Sequence, residues 1–262
     1  MKPGIYNMSN RAYHTTDALS KSDLDLFAKS PAHYKKKEKT TTDAMIFGSA
    51  FHTYVLEKDL FEPAYRITEG TKTSKLKAQA EADGVELLSL TELETIKAMA
   101  DSINSHTIAS KLLEDGESEQ SIFWDHPVYN FGCKCRPDKL NDNLKLIIDL
   151  KSTQDADLDS ISKSIANYNY HRQDYHYTTG VNTILTDEYQ FIFIFVEKKQ
   201  PYGVNVVTLD YHAKEAAKAE VEELYSRFND CLEADSWPSY EPIVSVISLP
   251  VWKTKSIFNG GI

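Results

Sequence analysis

Arg136-Pro137-Asp138, ten residues, then Asp149-Leu150-Lys151 is the stretch that decides how this chain reads. Lys145 to Lys151 alternates, with Leu146, Ile148 and Leu150 on one face and Asp149 and Lys151 on the other. Side chains two apart on a strand share a face, so Asp149 and Lys151 stand side by side. Phe131 to Lys139 alternates too: Phe131, Cys133 and Cys135 face one way, and Lys134, Arg136 and Asp138 the other. Asn141-Asp142-Asn143 between the two runs has turn composition. A hairpin then brings Asp138 across from Asp149, and two carboxylates and an ammonium converge at one end of a sheet.

Two carboxylates held together repel unless a cation intervenes. Hard carboxylate oxygens suit Mg²⁺ or Mn²⁺, which keep waters and bind substrate phosphate. The carbonyl of Leu150 can reach the same ion. Lys151 is placed to orient or deprotonate a water, or to stabilise developing negative charge. This is a layout for metal-assisted phosphodiester hydrolysis. Spacing alone also allows a surface Asp–Lys pair on an edge strand.

Upstream, Ser20-Lys-Ser-Asp23 reads as a capping box opening a short helix with Leu24, Phe27 and Ala28. Ser30-Pro31 starts another helical turn, followed by Lys35, Lys36, Lys37 and Lys39, a solvated face or a phosphate contact. Asp43 to Leu56 is a helix, Lys72 to Gly84 a loop or frayed helix, and Thr91-Glu-Leu-Glu94 a capping box before an amphipathic helix. Downstream, Gln120 to Trp124 is strand-like, a helix spans Leu158 to Leu185, and strands span Tyr189 to Glu197 and Gly203 to Leu209. Tyr211 to Leu232 is a helix with a stripe of Ala217, Val221, Leu224, Phe228 and Cys231, and Leu249-Pro-Val-Trp252 lies in an extended tail. The expected architecture is α/β, a central mixed β-sheet flanked by helices. We expect one domain over 1–262, with a helical N-terminal segment over 1–116, an α/β core over 117–235 and a tail over 236–262.

The 262 residues are 41% apolar, enough for a core. No run of about 18 apolar residues occurs, so no membrane span is expected. Met1-Lys2-Pro3 opens no apolar leader, and Cys133, Cys135 and Cys231 make an odd set, which together predict reduced thiols in a cytoplasmic compartment. Cys133-Lys-Cys135 lacks a second pair to complete a metal site; strand alternation accounts for it. Twenty-nine basic against 39 acidic residues give a net charge of −10, which excludes coating nucleic acid through bulk charge. A nucleic-acid site here needs a local basic groove or metal ions that offset carboxylates.

The string Pro137-Asp138 … Asp149-Leu-Lys151 resembles the PD-(D/E)xK nuclease superfamily, and Gln173-x-x-x-Tyr177 resembles the QxxxY motif of its RecB-like branch. Gly4-Ile-Tyr6, Ser20-Lys-Ser-Asp-Leu24, Ser30-Pro-Ala-His-Tyr34, Phe47-Gly-Ser-Ala-Phe-His52, Cys133-Lys-Cys-Arg-Pro-Asp-Lys139 and Trp237-Pro238 resemble, in order, the RecE nuclease domain (exodeoxyribonuclease VIII). That resemblance implies a restriction-endonuclease-like core and a Mg²⁺-dependent exonuclease, with Mn²⁺ able to substitute and two ions per site. It implies 5′-to-3′ degradation of one strand from double-stranded DNA ends. It also implies a RecT-type single-strand annealing partner, a toroidal homotetramer, a role in recombination and repair, and a phage or prophage origin. Catalytic roles fall on Asp138, Asp149, Lys151 and His52. Metal ligation falls on His52, Glu119, Asp138, Asp149 and the Leu150 carbonyl, with Glu117 the rival to Glu119. DNA contacts fall on Ser22, Arg136, Gln173 and Tyr177, although Gln173 and Tyr177 equally suit a Tyr-rich core helix. Lys35, Lys36, Lys37, Lys72, Lys75, Arg136 and Arg172 are candidates for lining a channel. Alternatives are a related endonuclease or single-strand nuclease, or an inactive module that binds DNA and recruits a recombinase.

Overall fold

A computed structural model describes residues 1–38, 41–251, 253 and 254, so Lys39 and Trp252 lie outside the described residues. In chain order the elements are β1 (Gly4–Tyr6), α1 (Asn10–Thr15), α2 (Lys21–Lys29), α3 (Pro31–Lys35), α4 (Asp43–Leu56), a 3-10 turn (Lys58–Leu60), α5 (Phe61–Ala64), β2 (Tyr65–Thr68), α6 (Ser74–Ala82), β3 (Glu86–Ser89), α7 (Leu90–Ser105) and α8 (Thr107–Glu114). There follow β4 (Glu117–Ser118), β5 (Ser121–Asp125), β6 (Gly132–Cys135), β7 (Lys139–Asn141), β8 (Leu146–Thr153), α9 (Leu158–Asn167), α10 (Tyr170–Leu185), β9 (Gln190–Glu197), β10 (Val204–Val207) and α11 (Tyr211–Glu233).

The central sheet has the order β10-β9-β8-β7-β4, with β8 and β9 parallel and the other pairs antiparallel. It is therefore mixed, as expected. Alternation along β8 and β9 divides the core into two layers. Ile147, Phe191, Phe193 and Phe195 pack on one face, among residues of α2, α10 and α11. Ile148, Leu150, Ile194 and Val196 pack on the other, against α4, α7 and α8. Each fully buried Phe contributes roughly 2–3 kcal/mol of burial free energy. On the first face Gly180 lets α10 approach β5, since a Cβ there would run into the Trp124 ring. Among the described residues no helix is long and apolar enough to cross a membrane.

Several elements differ from the sequence expectations. The run Phe131 to Lys139 is not one strand: β6 joins a second sheet, β1-β5-β6, and β7 joins the central one. The chain changes sheet at Arg136-Pro137-Asp138, where Pro137 has no N–H to give a ladder. The 158–185 helix breaks at Tyr168-Asn169, with Asn169 left-handed at φ 53°. The second capping box uses Ser89 and Glu92, two residues earlier than Thr91 and Glu94. The N-terminal segment, expected to be helical, also holds strands: β1 pairs with β5, and β2 pairs with β3. Lys72 to Gly84 contains the helix α6, capped by Thr73.

Candidate active site

β7 and β8 run antiparallel with Lys139 opposite Ile148, so Asp138, the residue before β7, stands beside Asp149. The Leu150 N–H donates to Asp138 Oδ2 at 2.6 Å. A strand residue directs its N–H and C=O to the same side, so the Leu150 carbonyl faces the Asp138 side as well. Asp149 and Lys151 share the opposite strand phase; the Lys151 ammonium pairs with Asp149 Oδ2. Both carboxylates are buried, at 7% and 2% exposure.

His52 arrives from α4, whose Phe47, Ala50 and Phe51 pack into the second core layer. Its Nδ1 lies 3.2 Å from Asp138 Oδ1. Glu119 sits between β4 and β5, left-handed at φ 54°, where the chain crosses from one sheet to the other. Its N–H donates to the Asp138 carbonyl at 3.1 Å, which anchors that unusual backbone. Ligand atoms of His52, Glu119 and Asp138 lie within 4.8 Å of one another. Glu117, by contrast, is exposed on β4 opposite Leu140, outside this cluster.

The four residues expected at DNA are placed differently from one another. Arg136 is engaged inside the protein: Nε donates to Glu119 Oε2 at 2.6 Å, and Nη1 donates to Ser121 Oγ at 2.7 Å and the Met8 carbonyl at 3.0 Å. It does not share a strand face with Asp138, because the chain changes sheet there. Gln173 on α10 donates from Nε2 to Asp149 Oδ1 and so fixes that carboxylate. Tyr177, on the same helical face, packs edge-on to Phe191. Ser22 is exposed near the start of α2, its hydroxyl 3.0 Å from that of Ser20.

Sequence reasoning missed Tyr170 and Lys21. The Lys151 ammonium lies 4.7 Å from the Tyr170 ring centroid and Lys21 lies 5.6 Å from it. Lys21 also pairs with Asp25 at 2.7 Å and donates to the Tyr168 carbonyl at 2.8 Å. Tyr170 precedes Gln173 by three residues, so helical spacing carried its signal. Nothing local marked Lys21.

The electrostatics follow from burial set against partners. Burial alone would lower the His52 pKa, but the Asp138 carboxylate overrides it and lifts it to about 8. Burial raises Asp138, yet His52, Lys151 and the Leu150 N–H together hold it below the usual carboxylate range. Burial and the charge of Asp138 push Glu119 up to about 7, against the pull of Arg136. Burial raises Asp149 despite Lys151. Lys151 stays above its ordinary value, because Asp149 and Asp138 outweigh its burial. In this arrangement Lys151 carries its proton and is a hydrogen-bond donor.

This donor set fits a hard divalent cation. Such an ion at about 2.0–2.1 Å from octahedral ligands spaces them roughly 3–4 Å apart, compatible with the cluster of His52, Glu119 and Asp138. Without an ion, His52 with its raised pKa and Arg136, the partner of Glu119, relieve the same crowding of negative charge. Asp149, an expected ligand, is not one of the three clustered residues; Gln173 and Lys151 hold its carboxylate beside Asp138.

The chain also matches known proteins. A family model described as a PDDEXK-like domain of unknown function (DUF3799) matches residues 20–246. A crystal structure named "Putative exonuclease" from Eubacterium rectale superposes with a TM-score of 0.65 at 13% identity, covering 98% of this chain and 100% of that one. A phage-related exonuclease from Haemophilus somnus 129PT shows 14% identity over 86% of this chain and 100% of its own, with a TM-score of 0.35. No curated protein matches the sequence. The first superposition shows a shared fold, and the family match spans the site from Ser20 through Gln173 and Tyr177: the chain belongs to the PDDEXK-like DUF3799 family.

Proposed function

We propose that this protein is a divalent-cation-dependent nuclease that hydrolyses DNA from duplex ends, removing one strand 5′ to 3′ and leaving 3′ single-stranded tails. The observation that carries the nuclease reading is the gathering of Asp138, Asp149 and Lys151 with His52 and Glu119 at one end of the β7–β8 hairpin. The end preference, polarity and recombination role rest on the RecE resemblance.

Mg²⁺ or Mn²⁺, two ions per site, would be held by Asp138, Asp149, Glu119, His52 and the Leu150 carbonyl, and would polarise a phosphoryl oxygen and acidify a water. The chain's own groups do the rest. Lys151 offers a charged donor to the negative charge that builds on the phosphate in the transition state. Gln173 fixes the Asp149 carboxylate so that it does not have to reorganise. Arg136 holds the Glu119 carboxylate and is a positioning residue rather than a phosphate ligand.

The proposal extends to a ring-shaped homotetramer threaded by duplex, handing its tail to a RecT-type annealing protein. Unlabelled competitor DNA added after loading tests the ring: immediate release would refute topological linkage. Linear duplex labelled separately at each 5′ and 3′ end, with and without Mg²⁺, tests the activity. The expected result is early loss of 5′ label with Mg²⁺ and none in EDTA. Full turnover in EDTA would overturn the metal requirement, and rapid cutting of covalently closed circles would favour an endonuclease.

A further inference from the structure

Of the cations expected along a channel, several are taken up inside the protein. Lys72 pairs with Glu92 at 2.8 Å, Arg172 with Glu220 at 2.6 Å and Asp25 at 3.0 Å, and Arg136 with Glu119. The lysines at the end of α3 stay at the surface, although Lys37 also pairs with Asp23 at 2.6 Å. Lys35 and Lys37 are exposed and line a cavity of about 420 Å³ whose aromatic walls include Tyr34 and Trp237. The Lys35 ammonium lies 4.6 Å from the Trp237 ring centroid, and Lys37 lies 4.8 Å from that of Tyr34. Tyr34 and Trp237 are 5.6 Å apart and tilted by 33°, backed by Phe228.

The same cavity is walled by Asp17 to Leu19, the residues that lead into Ser20 and Lys21 at the start of α2. Lys21 shares the Tyr170 ring with Lys151, so one short segment links this cavity to the metal-site end of the sheet.

Resting on the nuclease reading above, we propose that the Trp237–Tyr34 cavity is a secondary site for single-stranded DNA, with a base against Trp237 and its phosphates at Lys35 and Lys37. Aromatic faces flanked by lysines are how single strands are held without sequence preference, at roughly 1–3 kcal/mol per stacked base. The cavity volume lies in the roughly 300–1,000 Å³ range of small-ligand sites. Local charge favours a polyanion although the chain as a whole is acidic. Against Asp17 on the wall and Asp23, paired to Lys37 at 2.6 Å, stand Lys35, Lys36 and Lys37, consecutive and exposed. Inside a duplex the bases stack on one another and offer no free face to Trp237; only a terminal pair does. The pocket therefore suits the strand that leaves the duplex rather than the duplex itself.

Trp237 also anchors the tail, since the adjoining Pro238 carbonyl accepts the Ala32 N–H at 3.1 Å. The test separates anchoring from binding. Oligothymidylate is titrated into the full chain in EDTA, read by tryptophan fluorescence and by anisotropy of a labelled strand. Tryptophan quenching that is lost in Trp237→Phe is expected, with binding weakened about fivefold or more in Trp237→Ala and largely restored in Trp237→Phe. Lys35→Gln, on the surface, should weaken binding and flatten its salt dependence by about 0.7 in log–log slope. Duplex of equal length closed at both ends by hairpin loops should leave Trp237 unquenched. Unchanged affinity and salt slope in Lys35→Gln, or equal quenching by duplex, would overturn the proposal. Cleavage by the Mg²⁺-loaded wild-type protein is scored separately. Oligothymidylate binding without cleavage defeats the nuclease reading alone, and cleavage without quenching defeats the pocket alone.

Discussion

Two histidines in this molecule, His176 and His52, are pulled in opposite directions by their surroundings. His176, on α10 and facing α11, is fully buried, with Nδ1 2.6 Å from the Tyr225 hydroxyl and Nε2 3.0 Å from the Lys134 carbonyl. Burial drives its pKa down to about 4, so it is neutral, with Nε2 donating and Nδ1 accepting. His52 lies against Asp138, and the carboxylate lifts it to about 8. What separates them is the partner: a neutral hydroxyl and carbonyl lock a ring into one state, and a carboxylate keeps it exchangeable. The first arrangement holds helices together, and the second reserves a position that a proton or a metal can fill.

The largest expected effect falls on the charged region. Asp149→Asn and Asp138→Asn should each cut cleavage by at least about a thousandfold while melting stays within a few degrees. Retained cleavage would detach the carboxylates from the chemistry. Next, the two histidines should differ in phenotype. His176→Ala should destabilise the fold by roughly 3 kcal/mol in urea melts, through a cavity beside Trp124 and orphaned polar partners. His52→Ala should change stability less than His176→Ala does, yet weaken Mn²⁺ binding about tenfold or more. Equal effects in both assays would erase the distinction.

The third prediction concerns protons. A cation must displace protons from His52, near 8, and Glu119, near 7. Mn²⁺ affinity should therefore rise between about pH 6 and 8.5, with proton release seen by calorimetry in buffers of different ionisation enthalpy. A pH-independent affinity would remove both groups from the site.

The smallest effect concerns Asp174, next to Gln173 on α10 and buried, with Oδ2 unpartnered among the described residues. Burial raises its pKa to about 6. A carboxyl raised in the folded state stabilises most below its unfolded pKa, and that contribution is lost as pH rises through about 6. Asp174→Asn should thus stabilise by roughly 1–2 kcal/mol at pH 8 and by nothing near pH 4. A uniform shift at both pH values would mean packing rather than charge.

The hairpin was legible because its logic is local. A period of 2 set Asp149 beside Lys151, and the Asn141–Asn143 turn brought Asp138 back across. The α4 helix carries the bounds read from the sequence, Asp43–Leu56. Glu119 and Arg136 were legible as residues and not as geometry. Glu119 reaches the cluster through a left-handed backbone held by the Asp138 carbonyl, and Arg136 turns inward where the chain switches sheets. Both depend on contacts between two sheets, which no strand period encodes. The break at Asn169 was hidden for a similar reason: it aims Tyr170 and Gln173 at the site, and only the folded sheet supplies the target.

Anomalous diffraction from a crystal soaked in Mn²⁺ tests the central claim most directly. The account predicts a peak bounded by His52, Glu119, Asp138 and Asp149 at the end of β7 and β8. A saturated soak with no peak there, or with its strongest peak elsewhere on the chain, would contradict it.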